Sequence, residues 1–221
     1  AAVSPYTSCV FSNITFVGPK LDAQFQNNAD YITGGDMFPN NGSSLGRFQS
    51  AMQIRRNSHL NCFNSLVIGW PIGVMIDNEK GNCWQAAKDQ LINVQNVWLA
   101  DCDLVGSDMN KQYKDSLALD YKAKTFDPTA AHSFSTTWFL AQKGNQTADL
   151  ASLLMSSTPY LPTSSSPVLT AADFTSAALK AMEQVSFLGA FDAPASVASA
   201  SSASASWLTG WTNFDPQNTP Y

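Results

Sequence analysis

Three short segments of the chain share one pattern of polar and apolar positions. They align without gaps as residues 10–18, 62–70 and 93–101. In each segment a small polar residue precedes an apolar strand core, and these residues are Asn13, Ser65 and Asn96. The alignment makes Ile14, Leu66 and Val97 equivalent, and likewise Phe16, Ile68 and Leu99. Internal similarity with β-strand character predicts stacked coils with equivalent side chains above one another.

One complete coil is predicted from three strands, at residues 51–56, 61–69 and 72–77. Trp70-Pro71 marks a corner, because proline cannot donate to a strand ladder. The middle strand is apolar on both faces, as expected for covered parallel strands, and its alternation leaves open which face points inward. A β-sandwich with the same strands would need hairpin turns such as Asn-Gly, which are absent between these three.

The carboxyl-terminal part has a different pattern. We predict two regions: parallel β-helix coils at 1–126, with a long inserted loop at 19–46, and a helical and loop capping region at 127–221. Asp127-Pro128 combines an N-cap with a proline at the first helical position. A short helix or turn is predicted at 82–90, and helices are predicted at 127–142, 147–156 and 171–184. Extended or irregular backbone is predicted at 158–167 and an Ala/Ser-rich loop at 195–206.

Composition and charge exclude some functions. The formal net charge is −5, and Arg55-Arg56 is the only basic doublet, so nothing would neutralise a row of phosphates and we expect no nucleic-acid partner. No apolar run approaches the roughly 18 residues of a membrane span. Only 13% of residues are charged, and Asn, Ser, Thr and Gln replace them, a composition common in extracellular β proteins.

Four cysteines, Cys9, Cys62, Cys83 and Cys102, form no Cys-x-x-Cys pair. With only two histidines, His59 and His132, a zinc site is not expected. The sequence leaves two interpretations open: buried free thiols, or a Cys83–Cys102 disulfide closing a local loop.

Several stretches resemble the surface-exposed right-handed parallel β-helix (pectin-lyase-like) proteins of the Bacteroidota, in the carboxyl-terminal portion of that family. They lie in order along the chain, from near its amino-terminal end to its aromatic tail. The stretches are residues 11–19, 54–60, 63–77, 165–169, 172–174, 185–191 and 207–221.

The resemblance implies a mainly β, right-handed solenoid with a mixed helix and loop cap. It also implies an extracellular or outer-membrane location. Family members have further coils on the amino-terminal side, so the remainder of a longer β-helix chain is an expected partner, beside a glycan or an outer-membrane protein. The resemblance carries no catalytic residues.

Many parallel β-helices are polysaccharide lyases or hydrolases, so that chemistry needs a test. A lyase requires an acidic calcium site and a basic side chain on one sheet. Asp101 and Asp103 after the third segment, with Arg55, are the weak catalytic candidates, and Asp77 ends another strand. The alternative is structural, with aspartates capping corners and Arg55 paired with a carboxylate. No cofactor is predicted, and calcium would be needed only by the lyase.

The sequence therefore predicts a non-enzymatic cell-surface module for structure, adhesion or ligand binding, or a subunit of an outer-membrane assembly. The alternative is a polysaccharide lyase or glycoside hydrolase of the pectin-lyase-like fold. Six tryptophans are mostly expected in the core, although tryptophan also stacks on sugar rings.

Overall fold

The computed structural model describes residues 4–21, 50–108, 132–156 and 160–192, with the backbone of 119–120 and 125–126. Its strands are β1 Ser8–Ser12, β2 Thr15–Val17, β3 Ser50–Arg55, β4 His59–Ile68, β5 Ile72–Asp77, β6 Asn93–Ala100, β7 Leu104–Ser107, β8 Leu119–Asp120, β9 Thr125–Phe126 and β10 Gln146–Ala148. The helices are α1 Cys83–Lys88 and α2 Phe134–Ala141, with 3₁₀ turns at Pro19–Leu21, Leu150–Leu153, Pro167–Thr170 and Ala177–Leu179.

Two parallel sheets form the frame. Sheet A has the order β1-β4-β6-β10, with β2 also paired to β4, and sheet B has the order β3-β5-β7. From β3 to β7 the chain alternates between the sheets, so consecutive strands never pair. Strands β8 and β9 form a separate antiparallel pair. The predicted mainly β fold with parallel pairing is confirmed.

The predicted single coil is wrong in detail. Strands β3 and β5 pair directly, from Ser50 opposite Ile72 to Arg55 opposite Asp77. They are successive members of sheet B, and β4 between them lies in sheet A. Arg56 and Asn57 take left-handed conformations between β3 and β4. The two strands therefore lie one above the other instead of on different sides of one coil.

The gapless alignment is one residue out of register at β4. Ser65, not Leu66, lies opposite Val97, and Leu66 lies opposite Trp98. On the other side Thr15 is opposite Leu66, and the Ile14 N–H donates to Ser65 Oγ. The predicted column of Ile14, Leu66 and Val97 is therefore corrected to Ile14, Ser65 and Val97. Similarly, Val67 rather than Ile68 lies between Phe16 and Leu99.

The true equivalent positions are marked by left-handed backbone. Asn13, Asn64 and Asn96 have φ angles of 58°, 49° and 54°, and Gly144 beside Asn96 has 73°. Asparagine tolerates this region better than most residues. We call these four residues the bend column. Each of these residues bends its strand of sheet A sharply. Side chains before and after the bend therefore lie on the same face of the sheet, although strict alternation along the strand would place them on opposite faces.

Two apolar clusters settle which face points inward. Between the sheets, Val67 and Leu99 pack with Ile54, Val74 and Ile76 of sheet B, all at most 1% exposed. Trp138 and Phe139 of α2 join this inner cluster. The outer cluster lies on the other face of sheet A and contains Leu66, Ile68, Ala100, Leu153, Val168 and Leu188.

Some of the predicted helices are present in the structure and others are not. The helix at 82–90 is confirmed as α1, and part of 127–142 as α2, which begins after the Ser133 cap. Asp127-Pro128 lies outside the described residues. The helix predicted at 147–156 is instead the end of β10 and a 3₁₀ turn, and the one at 171–184 is wrong except for a turn at Ala177–Leu179.

Residues 160–190, here called the strap, cross the outer face of sheet A. Gly189 N–H donates to Asn64 O at 2.9 Å, and Asp173 N–H donates to Asn64 Oδ1 at 2.8 Å. These bonds tie the strap to the sheet, and the Asp173 N–H is used in one of them instead of in a helix. The boundary at 126/127 stays a prediction. The Ala/Ser-rich loop, the end of the tail and most of the inserted loop lie outside the described residues.

Candidate functional site

Asp101 and Asp103 lie together at the corner between β6 and β7, where both have structural partners. Asp101 Oδ1 accepts a hydrogen bond from Leu150 N at 3.0 Å, and its backbone carbonyl accepts one from Lys20 Nζ at 2.9 Å. Lys20 also forms an ion pair with Asp103. The two carboxylates therefore tie the corner to the first 3₁₀ turn and to the chain after β10.

Arg55 lies at the other end of sheet B. Its Nε is 3.4 Å from Asp77 Oδ2, and the Asp77 side chain is 1% exposed. Asp77 also accepts hydrogen bonds from Gln53 Nε2 and from Glu79 N. A buried carboxylate with these partners has a structural role. Arg55 is therefore paired with a carboxylate, as the structural interpretation predicted.

The weak catalytic candidates do not converge. Asp103 precedes Leu104, which pairs with Ile72 at the start of β5, whereas Arg55 pairs with Asp77 at its end. Five steps along a strand span about 16 Å. A basic group so far from the carboxylates cannot contact the same sugar ring.

A cavity of about 430 Å³ lies beside the Asp101 corner, in the size range of ligand pockets. Asp101, Thr147 and Asp149 give it carboxylate and hydroxyl groups. Its remaining described lining is Leu99, Cys102, Val105 and Ala148. We call it the corner cavity. Carboxylates accept hydrogen bonds from hydroxyl groups. Leu99 and Val105 are buried in the inner cluster, so Cys102 and Ala148 are the partly exposed apolar residues of the lining.

The cavity forms because β10 pairs with β6 and the chain then leaves sheet A. Thr147 lies opposite Leu99, and Ala148 lies opposite Ala100. After Asp149 the chain enters the 3₁₀ turn Leu150–Leu153 instead of continuing beside β7. Sequence reasoning missed Thr147 and Asp149 because it placed them in a helix. The Asp101 corner was its only signal for this site.

All four cysteines are free, which confirms the free-thiol interpretation and shows that the alternative Cys83–Cys102 disulfide is wrong. Burial raises the pKa of Cys102 to about 12 and that of Cys62 to about 11, and it also raises the pKa of Cys83. A thiol that stays protonated at neutral pH is a poor nucleophile. Cys102 therefore contributes a weakly polar wall to the cavity.

A second polar cluster attaches the strap to the sheet. Lys143 Nζ lies 2.5 Å from Asp173 Oδ2 and donates to Thr175 Oγ1 at 2.9 Å. Hydrogen bonds from Lys143, and then from Thr175, lower the pKa of Asp173 to about 2. Asp173 therefore stays charged at every physiological pH, so its ion pair with Lys143 is not lost by titration in that range.

Most described tryptophans have packing roles. The indole N–H of Trp70 donates to Phe16 O, that of Trp84 to Ile76 O and that of Trp138 to Ala87 O. The expectation that tryptophans mostly belong to the core agrees with these contacts. Trp207 and Trp211 lie outside the described residues. His59 packs against Tyr6, with ring centroids 5.0 Å apart.

In the described ranges no group of three or more histidine, cysteine and acidic residues could hold a metal ion. No helix in the same ranges is long and apolar enough to cross a membrane. Comparisons with protein-family models, curated proteins and solved structures found no match for this chain.

Proposed function

We propose that the two sheets belong to a right-handed parallel β-helix. Support comes from the alternation of the chain between parallel sheets and from the bend column, whose members recur at equivalent positions. Parallel crossover connections are right-handed in about 98% of cases, which favours that hand. The resemblance to the Bacteroidota surface proteins points the same way and supports an extracellular or outer-membrane location.

We infer that the molecule is a non-enzymatic module that captures a neutral glycan in the corner cavity. The observation that carries this inference is the pairing of hydrogen-bonding Asp101, Thr147 and Asp149 with apolar residues in one cavity. A sugar ring presents hydroxyl groups at its edge and C–H groups on its faces, which matches such a lining. The strands that support the cavity are buried, so they hold its lining residues in fixed positions.

The negative charge of the cavity lining disfavours the binding of an acidic glycan. Asp101 and Asp149 would repel the carboxylates of uronic acids, because like charges brought close together disfavour binding. A lyase acts on such acidic polymers and needs a free basic side chain at the site, whereas Lys20 at this corner is neutralised by its ion pair with Asp103 and Arg55 is paired with Asp77 at the far end of sheet B. A neutral oligosaccharide is therefore the proposed ligand.

The test is calorimetric titration of the purified chain with neutral gluco- and manno-oligosaccharides, beside a polyuronate. We expect binding of a neutral oligosaccharide and weakening by about tenfold or more in Asp149→Asn, since a charge-assisted hydrogen bond is lost. Glu79→Gln is the matched control, because it removes the same charge from an exposed site beyond the other end of sheet B.

Three results would contradict the proposal. The first is the absence of binding to every neutral oligosaccharide, and the second is equal binding by Asp149→Asn. The third is a rise in the absorbance of unsaturated product from a polyuronate that disappears in Asp101→Ala. That third result would support the polysaccharide lyase instead.

A further inference from the structure

The corners at the end of sheet A lie above one another. The last residues of four paired strands are in register, and they are Val17, Ile68, Ala100 and Ala148. The next residue of each strand belongs to a stack that we call the corner column, with the members Gly18, Gly69, Asp101 and Asp149. Gly69 and Asp101 have left-handed backbones, with φ of 66° and 50°. Asp101 therefore carries a side chain in a conformation that glycine adopts at less cost.

Asp101 is held at its corner through two oxygen atoms. Its backbone carbonyl accepts a hydrogen bond from Lys20 Nζ at 2.9 Å, and its Oδ1 accepts one from Leu150 N at 3.0 Å. Its own N–H makes a longer contact of 3.4 Å to Ala148 O. Because the Asp101 side chain lines the corner cavity, the groups that fix this residue also fix a hydrogen-bonding group of the cavity.

Lys20 reaches this corner from the first 3₁₀ turn, which follows β2 and lies two strands away from β6 in sheet A. The Lys20 N–H donates to Gly69 O at 3.1 Å, and a Cβ added at Gly18 would lie 2.2 Å from the same oxygen. The Lys20 ammonium group also forms an ion pair with Asp103, and these two side chains are only 25% and 31% exposed. Lys20 is therefore anchored at both its backbone and its charged end.

We propose that Lys20 is a positioning residue of the corner cavity, which holds Asp101 in the orientation that binds a sugar hydroxyl. This inference rests on the glycan proposal, because it concerns the same site. Lys20 is not part of the described lining of the cavity, so it acts through Asp101 and not by touching the ligand. Its hydrogen bond to the Asp101 carbonyl is charge-assisted, and such bonds are about twice as strong as neutral ones. Without it the Asp101 peptide can leave the left-handed conformation, and the carboxylate then turns away from the ligand.

Lys20→Met should weaken binding of a neutral oligosaccharide by about tenfold, because it keeps the length of the side chain and removes the donor. The measurement is calorimetric titration with the neutral gluco- or manno-oligosaccharide that the original chain binds. Lys20→Arg retains a charged donor and should bind within about threefold of the original. Lys80→Met is the matched control, because it removes the same charge from an exposed site beyond the other end of sheet B.

Asp101→Gly separates a role through Asp101 from general loosening of the corner. Glycine accepts the left-handed backbone, so this variant removes the carboxylate while the hydrogen bond from Lys20 can remain. Adding Lys20→Met to Asp101→Gly should weaken binding by less than about twofold, because no carboxylate is left to position. Hydrogen exchange gives a readout without ligand. In Lys20→Met the Leu150 N–H should exchange faster, while β4 and β6 exchange as in the original chain.

The two proposals can fail separately. If the original chain binds no neutral oligosaccharide, the glycan proposal fails, and this role of Lys20 fails with it. If the original chain binds, equal binding by Lys20→Met overturns only the role of Lys20. So does a loss on Lys20→Met that is as large in Asp101→Gly as in the original chain, or unchanged exchange of the Leu150 N–H in Lys20→Met.

Discussion

Asn64 combines a left-handed backbone with a buried, fully used side chain. It is 0% exposed with φ of 49°. Its Oδ1 accepts hydrogen bonds from Asn96 Nδ2 and from Asp173 N, both at 2.8 Å, and its Nδ2 donates to Ser12 Oγ at 3.3 Å. One residue thus joins two neighbouring strands and the strap.

Replacing Asn64 by alanine should lower the free energy of unfolding by about 2–4 kcal/mol. Alanine in the left-handed region costs about 1–2 kcal/mol, and a buried donor left without a partner costs about 1–3 kcal/mol. Asn64→Gly removes only the hydrogen bonds and should be less destabilised. Urea denaturation of both variants measures the difference, and equal losses would show that the backbone conformation contributes nothing.

At this scale the sequence indicated equivalent polar positions but neither the bends nor the register. Asn13 and Asn96 were recognised as equivalent polar positions, whereas Ser65 was chosen in place of its neighbour Asn64. Both are small and polar, and only the backbone conformation distinguishes them. The structural interpretation predicted that Arg55 pairs with a carboxylate. It pairs with Asp77, because these oppositely charged residues lie opposite each other in adjacent strands.

Among the elements, α2 shows how a weakly amphipathic helix becomes part of a core. Ser133 caps it by accepting a hydrogen bond from Thr136 N, and Asp108 accepts bonds from Phe134 N and Ser135 N. Its apolar residues are spread around the helix, so their spacing does not single out one buried face. The structure buries Phe139 completely and leaves Leu140 45% exposed.

Adjacent residues of α2 therefore make a matched pair. Phe139→Ala should lower the free energy of unfolding by about 3–5 kcal/mol, because it leaves a cavity in the inner cluster. Leu140→Ala should change it by only about 0.5 kcal/mol. Chemical denaturation of the two variants checks this, and similar losses at both positions would mean that α2 does not cover the inner cluster as described.

For the whole molecule, the strap is the feature that sequence patterns did not reveal. It contains two 3₁₀ turns and no strand or α-helix in its described part, and its fixed points are hydrogen bonds to sheet A. Such long-range contacts leave no periodic signal in the sequence. The parallel strands were predictable, because each has its own local apolar pattern, whereas the surface that covers them depends on side chains over a hundred positions apart.

Gly189→Ala should loosen the strap while leaving the sheets folded. Gly189 has φ of 77°, and an added Cβ would lie 2.6 Å from Thr15 Oγ1 and 2.9 Å from Leu66 Cδ1. We expect faster hydrogen exchange in 172–190 and unchanged exchange in β4 and β6. Ser186→Ala, an exposed substitution in the same segment, is the control. Faster exchange throughout the molecule would show that strap and sheets unfold together.

The bend column also has an evolutionary consequence. Its four members recur at unequal intervals along the chain, yet the neighbouring strands keep their pairing. Peptides of different length can therefore be spliced between strands without disturbing the scaffold. We therefore expect insertions between the strands to be tolerated better than substitutions at the four positions of the bend column.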